Sequence, residues 1–310
     1  MAATSVLAAA TLLAGCQASN STDGDSAAQS DSLQVYATTG YLADAVKNIA
    51  PDAEITTMVG PGGDPHTYQP TTKDIEKMRD SDAVVWNGLH LEAQMIDELQ
   101  SLGDKQLAVG EGIDEAELLD WPETDDEGNP LHDPHIWNSP EIWQQVVTAV
   151  ADHLAKLDKD NAETYKDNAV AYNKQIAETS AEVEELISTV GEPRVLISGH
   201  DAFNYFGKVY NLEVHATDFV STEAQLSASQ ISELADLIAE KQVPAIFLDN
   251  QASPQAITSL QEAVKSRGWD VKIANEELFA DSLGAEAPVD TYLGVLKHNA
   301  EAVSQALSNQ

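Results

Sequence analysis

The chain of 310 residues has a single cysteine, Cys16, so no internal disulfide can form. Basic side chains are also scarce: 16 Lys and Arg stand against 52 Asp and Glu, a formal net charge of -36. Such a balance argues against nucleic-acid binding, because phosphate contacts need Lys and Arg. Cations suit the charge better, although most of it reads as a solvated surface, and acid in excess of lysine is also what life in salt favours. Beyond residue 32 no run approaches the roughly 20 apolar residues of a transmembrane helix. The chain has neither an H-E-x-x-H helix nor a G-x-S-x-G turn, two signatures of hydrolases. Aromatic residues make up only 6%, yet a hydrophobic share of 43% supplies packed cores and excludes a wholly disordered chain. At this length two lobes of ordinary domain size are expected, with a cleft between them.

The first twenty residues, "MAATSVLAAATLLAGCQASN", form an apolar run of small residues ending at Cys16. Leu13-Ala14-Gly15-Cys16 has the form of a lipobox: cleavage before Cys16 and lipidation of its thiol would hold an exported protein at a membrane surface without spanning it. An ordinary secretory peptide, or a buried helix with an incidental cysteine, would share the apolar run but not the lipobox. No Lys or Arg precedes the run, a departure from the leader pattern that leads us to expect an upstream start, with Met1 internal. Residues 17–32 lack large apolar side chains, cannot bury enough surface to offset ordering, and read as a tether.

From residue 33 short β runs alternate with helical stretches. "LQVYATT" precedes "GYLADAVKNIA", "AEITTMV" precedes a loop and "TTKDIEKMRDS", and "DAVVWNG" precedes "LEAQMIDELQSL". This alternation predicts an α/β fold, each lobe a mostly parallel sheet flanked by helices, with ligands gathered at the carboxyl ends of the strands. An acidic loop, residues 111–134, leads to His135 and then to a helix from Pro140 capped by Ser139. Over 159–190 the apolar residues Tyr165, Ala169, Tyr172, Ile176, Val183, Leu186 and Val190 fall on one stripe, predicting a helix of about 48 Å. A coiled-coil partner helix would carry the same stripe; strand–helix units on both sides favour a spine between lobes. The second lobe repeats the pattern from "RVLISG" through "LEVHATDF", "AIFLDN" and "VKIA" to a terminal helix from about Asp290. The expected organisation is a leader at 1–15, a tether at 16–32, a first lobe at 33–157, a linking helix at 158–190 and a second lobe at 191–310.

"GPGGDPHTYQP" and "LHDPHIWNSP" each set a histidine behind Asp-Pro. His66 follows a strand in a loop that Gly60, Gly62 and Gly63 allow to turn and Pro61, Pro65 and Pro70 stiffen. His135 precedes a helix, His200 follows the strand "RVLISG", and Asp281 lies in "ELFADSLG" after the last short strand. Two of these residues come from each lobe, all in loops that should open into the cleft. Imidazole nitrogen and carboxylate oxygen are good ligands for a divalent transition metal, and the doubled Asp-Pro-His would supply two rigid ligands from the first lobe. A single loop histidine is more often plain surface polarity; the joint pattern carries the reading. His153 and His298 in helices and His215 in a strand read as structural. His90 follows a strand and reads as a packing or supporting residue near the cleft. His132 could help capture metal, but loop polarity explains it equally well.

"GPGGDPHTYQPTTKDI", "DPHIW", "SGHDAFNYF", "STEAQLSASQI", "VPAIFLDNQASP" and "LFADSLG" together resemble, in order, the motifs of the metal-binding lipoproteins that serve bacterial ABC importers of zinc and manganese, the cluster A-I solute-binding proteins. The resemblance runs from the lipobox to the last helix. It implies two α/β lobes joined by one long helix, one Zn²⁺ or Mn²⁺ enclosed per chain, and His66, His135, His200 and Asp281 as ligands. It also implies delivery to a membrane permease with its cytoplasmic ATPase, a role in metal homeostasis outside the membrane, lipid anchoring through Cys16, and a monomer by default. Many manganese-type members carry glutamate where this chain has His200, and many zinc-type members carry a histidine-rich loop where this chain is acidic. Three nitrogen ligands and the Irving–Williams order lean to zinc.

Two rival readings follow from the same residues. A secreted zinc metallohydrolase would use the histidines as ligands and Asp281 as base; four protein ligands would instead leave no position for a reactive water. A surface adhesin has no supporting feature. Ligating imidazoles must be neutral, so binding is expected to weaken below about pH 6 to 6.5.

Overall fold

The computed structural model describes residues 32–125, 128–220, 222, 226–251 and 253–308. The expected leader at 1–15 and the lipidation site Cys16 lie outside the described residues, as does the tether apart from Ser32.

The first half runs β1 (Gln34–Ala37), α1 (Gly40–Ile49), β2 (Glu54–Thr57), α2 (Thr72–Asp80), β3 (Ala83–Trp86), α3 (Ile96–Gln100) and β4 (Gln106–Ala108). The four strands form one parallel sheet in the order β2-β1-β3-β4. All four residues of β3 are buried, as a strand covered on both faces requires. Because β1 lies between β2 and β3, the strand order reverses there, and loops at the carboxyl ends diverge to leave a crevice. Thr39 caps α1 by accepting the Leu42 N–H, and the helix buries Tyr41, Leu42, Ala45, Val46 and Ile49 along one face. Thr71 and Asp74 close a reciprocal capping box at the start of α2.

Residues 111–134 depart from the expected plain loop. They contain an antiparallel pair, β5 (Asp120–Thr124) with β6 (Pro130–His132), in which Trp121 faces Leu131. Next come α4 (Pro140–Leu157), which starts at the expected proline with Ser139 accepting the Ile142 N–H, and α5 (Ala162–Ser188). At 27 residues α5 is shorter than the sequence stripe suggested, about 40 Å instead of 48 Å. The polar Asp158-Lys159-Asp160-Asn161 turn separates it from α4, and Thr189 closes its other end.

The second half runs β7 (Val195–Ser198), α6 (Asn204–Tyr210), β8 (Glu213–Ala216), α7 (Ala228–Lys241), β9 (Ala245–Ile246), α8 (Pro254–Ser266), β10 (Lys272–Ile273) and α9 (Tyr292–Ser308). β7 pairs parallel with β8, and β9 with β10. The Phe247 N–H donates to the Ile197 carbonyl at 2.8 Å, which sets the two pairs side by side. Helix α5 packs on α4, α9 and α1. Its buried residues Tyr165, Tyr172, Ile176, Val183 and Ile187 belong to a core that runs from Val35 and Tyr41 through Trp137 to Phe247, Ala280 and Leu307, so the spine joins the apolar interiors of both halves.

Candidate metal centre

His66, His135, His200 and Asp281 converge from loops of both halves into one buried cluster. His66 is 4% exposed, Asp281 1%, and the other two are fully buried. The His66 loop turns at Gly62, whose φ of 71° suits glycine, and a Cβ at Gly63 would lie 2.7 Å from the Val59 side chain. The Asp-Pro-His motif proves to be a local device. Asp64 Oδ1 accepts the His66 N–H at 2.9 Å, and Asp133 Oδ1 accepts the His135 N–H at 3.0 Å. In both copies the aspartate curls the chain so that the histidine two residues on is aimed. Asp133 does more: the same oxygen takes the His135 ring Nδ1–H at 2.7 Å. His200 is held by Asp249 Oδ2, which accepts its N–H at 2.8 Å, and by the Phe219 carbonyl, which accepts its Nδ1–H at 3.0 Å.

With Nδ1 of His135 and His200 committed as donors, the Nε2 atoms of the neutral rings carry lone pairs. These point at one another: His135 Nε2 lies 3.2 Å from His66 Nε2 and 3.1 Å from His200 Nε2. Asp281 Oδ2 is 3.5 Å from His66 Nε2 and 3.1 Å from His200 Nε2, and its Oδ1 is 3.3 Å from His135 Nε2. Among the described residues the Asp281 oxygens meet only these nitrogens, with no backbone or hydroxyl donor. Acceptors crowded against acceptors in a buried space need a cation between them. An ion about 2.0–2.1 Å from four tetrahedral ligands would set them about 3.3–3.4 Å apart, within the spread of these contacts. The donor set therefore fits a single divalent transition ion.

Without an ion, protons take its place. Burial lowers His66 well below the ordinary imidazole value; the Asp281 charge opposes this, and the neighbouring histidines add to it. Burial also works against charge on His135, but Asp133 and Asp281 outweigh it and lift that ring to about 10. His200 is raised as well, burial again being overcome by Asp281. Asp281 falls well below the carboxylate range, because His200 and His135 outweigh the cost of burying its charge.

The remaining histidines stay apart from the cluster. His90 packs edge-on to Trp121 with ring centroids 6.4 Å apart and adopts a left-handed φ of 66°. His132 sits on β6 with a buried Nδ1 that has no hydrogen-bond partner among the described residues. His153 donates to the Lys105 carbonyl and His298 to the Glu277 carbonyl, while His215 meets Glu213. Sequence reasoning missed the supports: Asp133 as ring partner, Asp249, the Phe219 carbonyl, and the contacts that flank Asp281. Only Asp133 carried a signal, being the aspartate of the motif itself.

Two α/β halves that bring three imidazoles and a carboxylate into one buried cluster have the architecture of a cleft-binding protein for a small ion. Residues 35–306 match the family model of the periplasmic zinc-uptake complex component A. The chain is 33% identical over 307 residues to the manganese-binding lipoprotein MntA of Bacillus subtilis (strain 168), covering 97% of each chain. It is 36% identical over 289 residues to the zinc-binding protein TroA of Treponema pallidum (strain Nichols), covering 92% of this chain and 91% of that protein. The solved structure of the periplasmic zinc-binding protein TroA from Treponema pallidum superposes with a TM-score of 0.83 at 36% identity, over 90% of this chain and all of that one. The chain belongs to the zinc-uptake component A family of metal-binding, solute-binding proteins.

Proposed function

We propose that this protein captures one divalent transition ion outside the membrane, zinc in preference to manganese, and delivers it to an ABC permease driven by a cytoplasmic ATPase. His66, His135, His200 and Asp281 are the ligands. The observation that carries this reading is the convergence of three imidazole nitrogens and a carboxylate at 3.1–3.5 Å, from both halves of the molecule, in a nearly solvent-free pocket. Asp133 and the Phe219 carbonyl hold two of the rings in the tautomer that offers Nε2. Burial favours carriage over hydrolysis, because a hydrolytic substrate needs an open coordination position.

In this reading residues 1–15 are a cleaved leader, Cys16 carries the lipid, and 16–32 tether a monomeric body to the outer face of the membrane. The body comprises a first lobe at 33–157, the linking helix region at 158–190 and a second lobe at 191–310. Release requires the lobes to part, since none of the four ligands is more than 4% exposed. Among the described residues no helix is long and apolar enough to cross a membrane. Native mass spectrometry of the metal-stripped protein, offered equimolar zinc and manganese, tests the proposal. One retained zinc per chain, lost in Asp281→Ala, is the expected result; retention of neither ion by the unaltered protein would overturn it.

A further inference from the structure

The carbonyl of Ala280, one residue before Asp281, accepts two hydrogen bonds from the other half of the molecule. Tyr41 OH donates at 3.0 Å from α1, and Trp137 Nε1–H donates at 2.9 Å from the turn after His135. Both rings are buried and stack with centroids 5.0 Å apart and planes 17° from parallel. Trp143 and Tyr292 brace Tyr41 edge-on, each at 6.4 Å. The Trp137 ring also meets the His135 ring edge-on at 5.2 Å. One rigid aromatic unit thus touches a ligand of the first half on one side and holds the main chain of a ligand of the second half on the other.

Within the second half Asn250 straddles Asp281: its Oδ1 accepts the Ala280 N–H at 2.8 Å and its Nδ2 donates to the Ser282 carbonyl at 3.0 Å. Among the described residues the Asp281 carboxylate meets only the ligand imidazoles and has no backbone or hydroxyl donor to fix it from its own half. Its place opposite His135, 3.3 Å from Nε2, is therefore set by the backbone on which it stands. Asn250 ties that backbone to its own half; across to the first half, among the described residues, the aromatic pair holds the Ala280 carbonyl before Asp281, and Ser282 Oγ after it accepts the Gly62 N–H at 3.0 Å.

We propose that Tyr41 and Trp137 are positioning residues that set the His135–Asp281 spacing through the Ala280 carbonyl, and with it the preference of the centre for a small four-coordinate ion. This rests on the reading of the centre as a metal site. Zinc accepts four ligands at short range, whereas manganese favours oxygen ligands and six-coordination. A cage locked at tetrahedral spacing favours the first ion. A cage free to widen and admit water helps the second more.

Tyr41→Phe removes one donor and keeps the ring; Trp137→Phe removes the other. Zinc and manganese affinities are measured by competition titration for both variants, for the unaltered protein, and for Ile257→Val in the separate apolar cluster under α7 and α8. Thermal unfolding of each ion-free protein is recorded in parallel. Tyr41→Phe is expected to weaken zinc about tenfold, the low end for an outer partner of a metal ligand, and manganese by less, so that the zinc-to-manganese ratio falls. The Ile257→Val control should lose thermal stability with its ratio unchanged. Equal weakening of both ions, or none, would overturn the positioning role while leaving the metal site intact. If Tyr41→Phe does not fold, Trp137→Phe decides the same question. Failure of the unaltered protein to bind either ion would overturn the metal reading, and this inference with it.

Discussion

Lowering the pH from 8 to 6 should weaken zinc binding far more than free imidazole chemistry predicts. Ligation requires neutral rings, so every proton resident in the empty centre must leave when the ion enters. An imidazole of ordinary pKa near 6.5 would begin to compete only below about pH 6 to 6.5. In this structure Asp133 and Asp281 overcome the effect of burial and hold His135 at about 10, and Asp281 raises His200. His66 is neutral throughout, because burial lowers it well below the ordinary value. Each displaced proton costs a factor of ten per pH unit, about 1.4 kcal/mol. His135 alone therefore weakens binding about 100-fold between pH 8 and 6, about 2.7 kcal/mol, and the raised His200 adds to this in the same direction.

The empty protein responds in a different direction. The raised His135 contributes stability that is fully present below its unfolded value of 6.5 and is lost as pH rises through about 10. The depressed Asp281 contributes stability present above its unfolded value of 3.8 and lost as pH falls through its lower folded value. Mild acid thus favours the folded, ion-free molecule over the unfolded chain while it weakens ion binding. Competition against a chromophoric chelator at pH 6, 7 and 8, with proton release measured by calorimetry in buffers of different ionisation enthalpy, reads the first effect, and urea unfolding of the ion-free protein at the same pH values reads the second. Less than a tenfold change in affinity over this range, or binding without proton release at pH 7, would refute the reasoning.

Three further outcomes follow. Asp133→Asn removes the charge that the His135 Nδ1–H meets at 2.7 Å and should weaken zinc by about 10–100-fold in a calorimetric titration; unchanged affinity would mean that the ring needs no such partner. Ser282→Ala breaks the contact in which Ser282 Oγ accepts the Gly62 N–H at 3.0 Å beside the His66 loop, so stopped-flow release into excess chelator should accelerate, and an unchanged release rate would place the moving contact elsewhere. Ile176→Ala, in the fully buried stripe of α5, should cost about 2–5 kcal/mol in urea unfolding; a loss below 1 kcal/mol would contradict a spine packed into the core.

The sequence carried the alternation of strands and helices, the start of α4 at Pro140 and the four residues that meet at the centre, because each of these is a local pattern. Asp-Pro-His folds on itself within three residues, and its aspartate reaches the histidine wherever the motif occurs. Contacts made over distance left no such trace. Tyr41 and Trp137 reach the Ala280 carbonyl from 239 and 143 residues away, and nothing near either aromatic residue announces it. The β5–β6 pair reads as loop because Pro122, Glu123 and Pro130 are poor strand residues, and pairing alone makes it extended. Leu89 and His90 adopt left-handed φ values of 52° and 66°, a conformation uncommon outside glycine and least expected of leucine. It is supported by the Glu92 carboxylate, which accepts the N–H groups of Asn87 and Gly88, and by Glu111, which accepts that of Leu89. The length of α5 was overestimated because Val190 continues its apolar stripe after the backbone has left the helix.

The central claim is that one ion sits among His66, His135, His200 and Asp281, and zinc K-edge X-ray absorption of the protein loaded with one equivalent tests it most directly. The account predicts a first shell of three imidazole nitrogens and carboxylate oxygen at about 2.0–2.2 Å, with the imidazole signal reduced in His200→Ala. A shell of oxygen alone, or one unaltered by that substitution, would place the ion elsewhere and contradict the account.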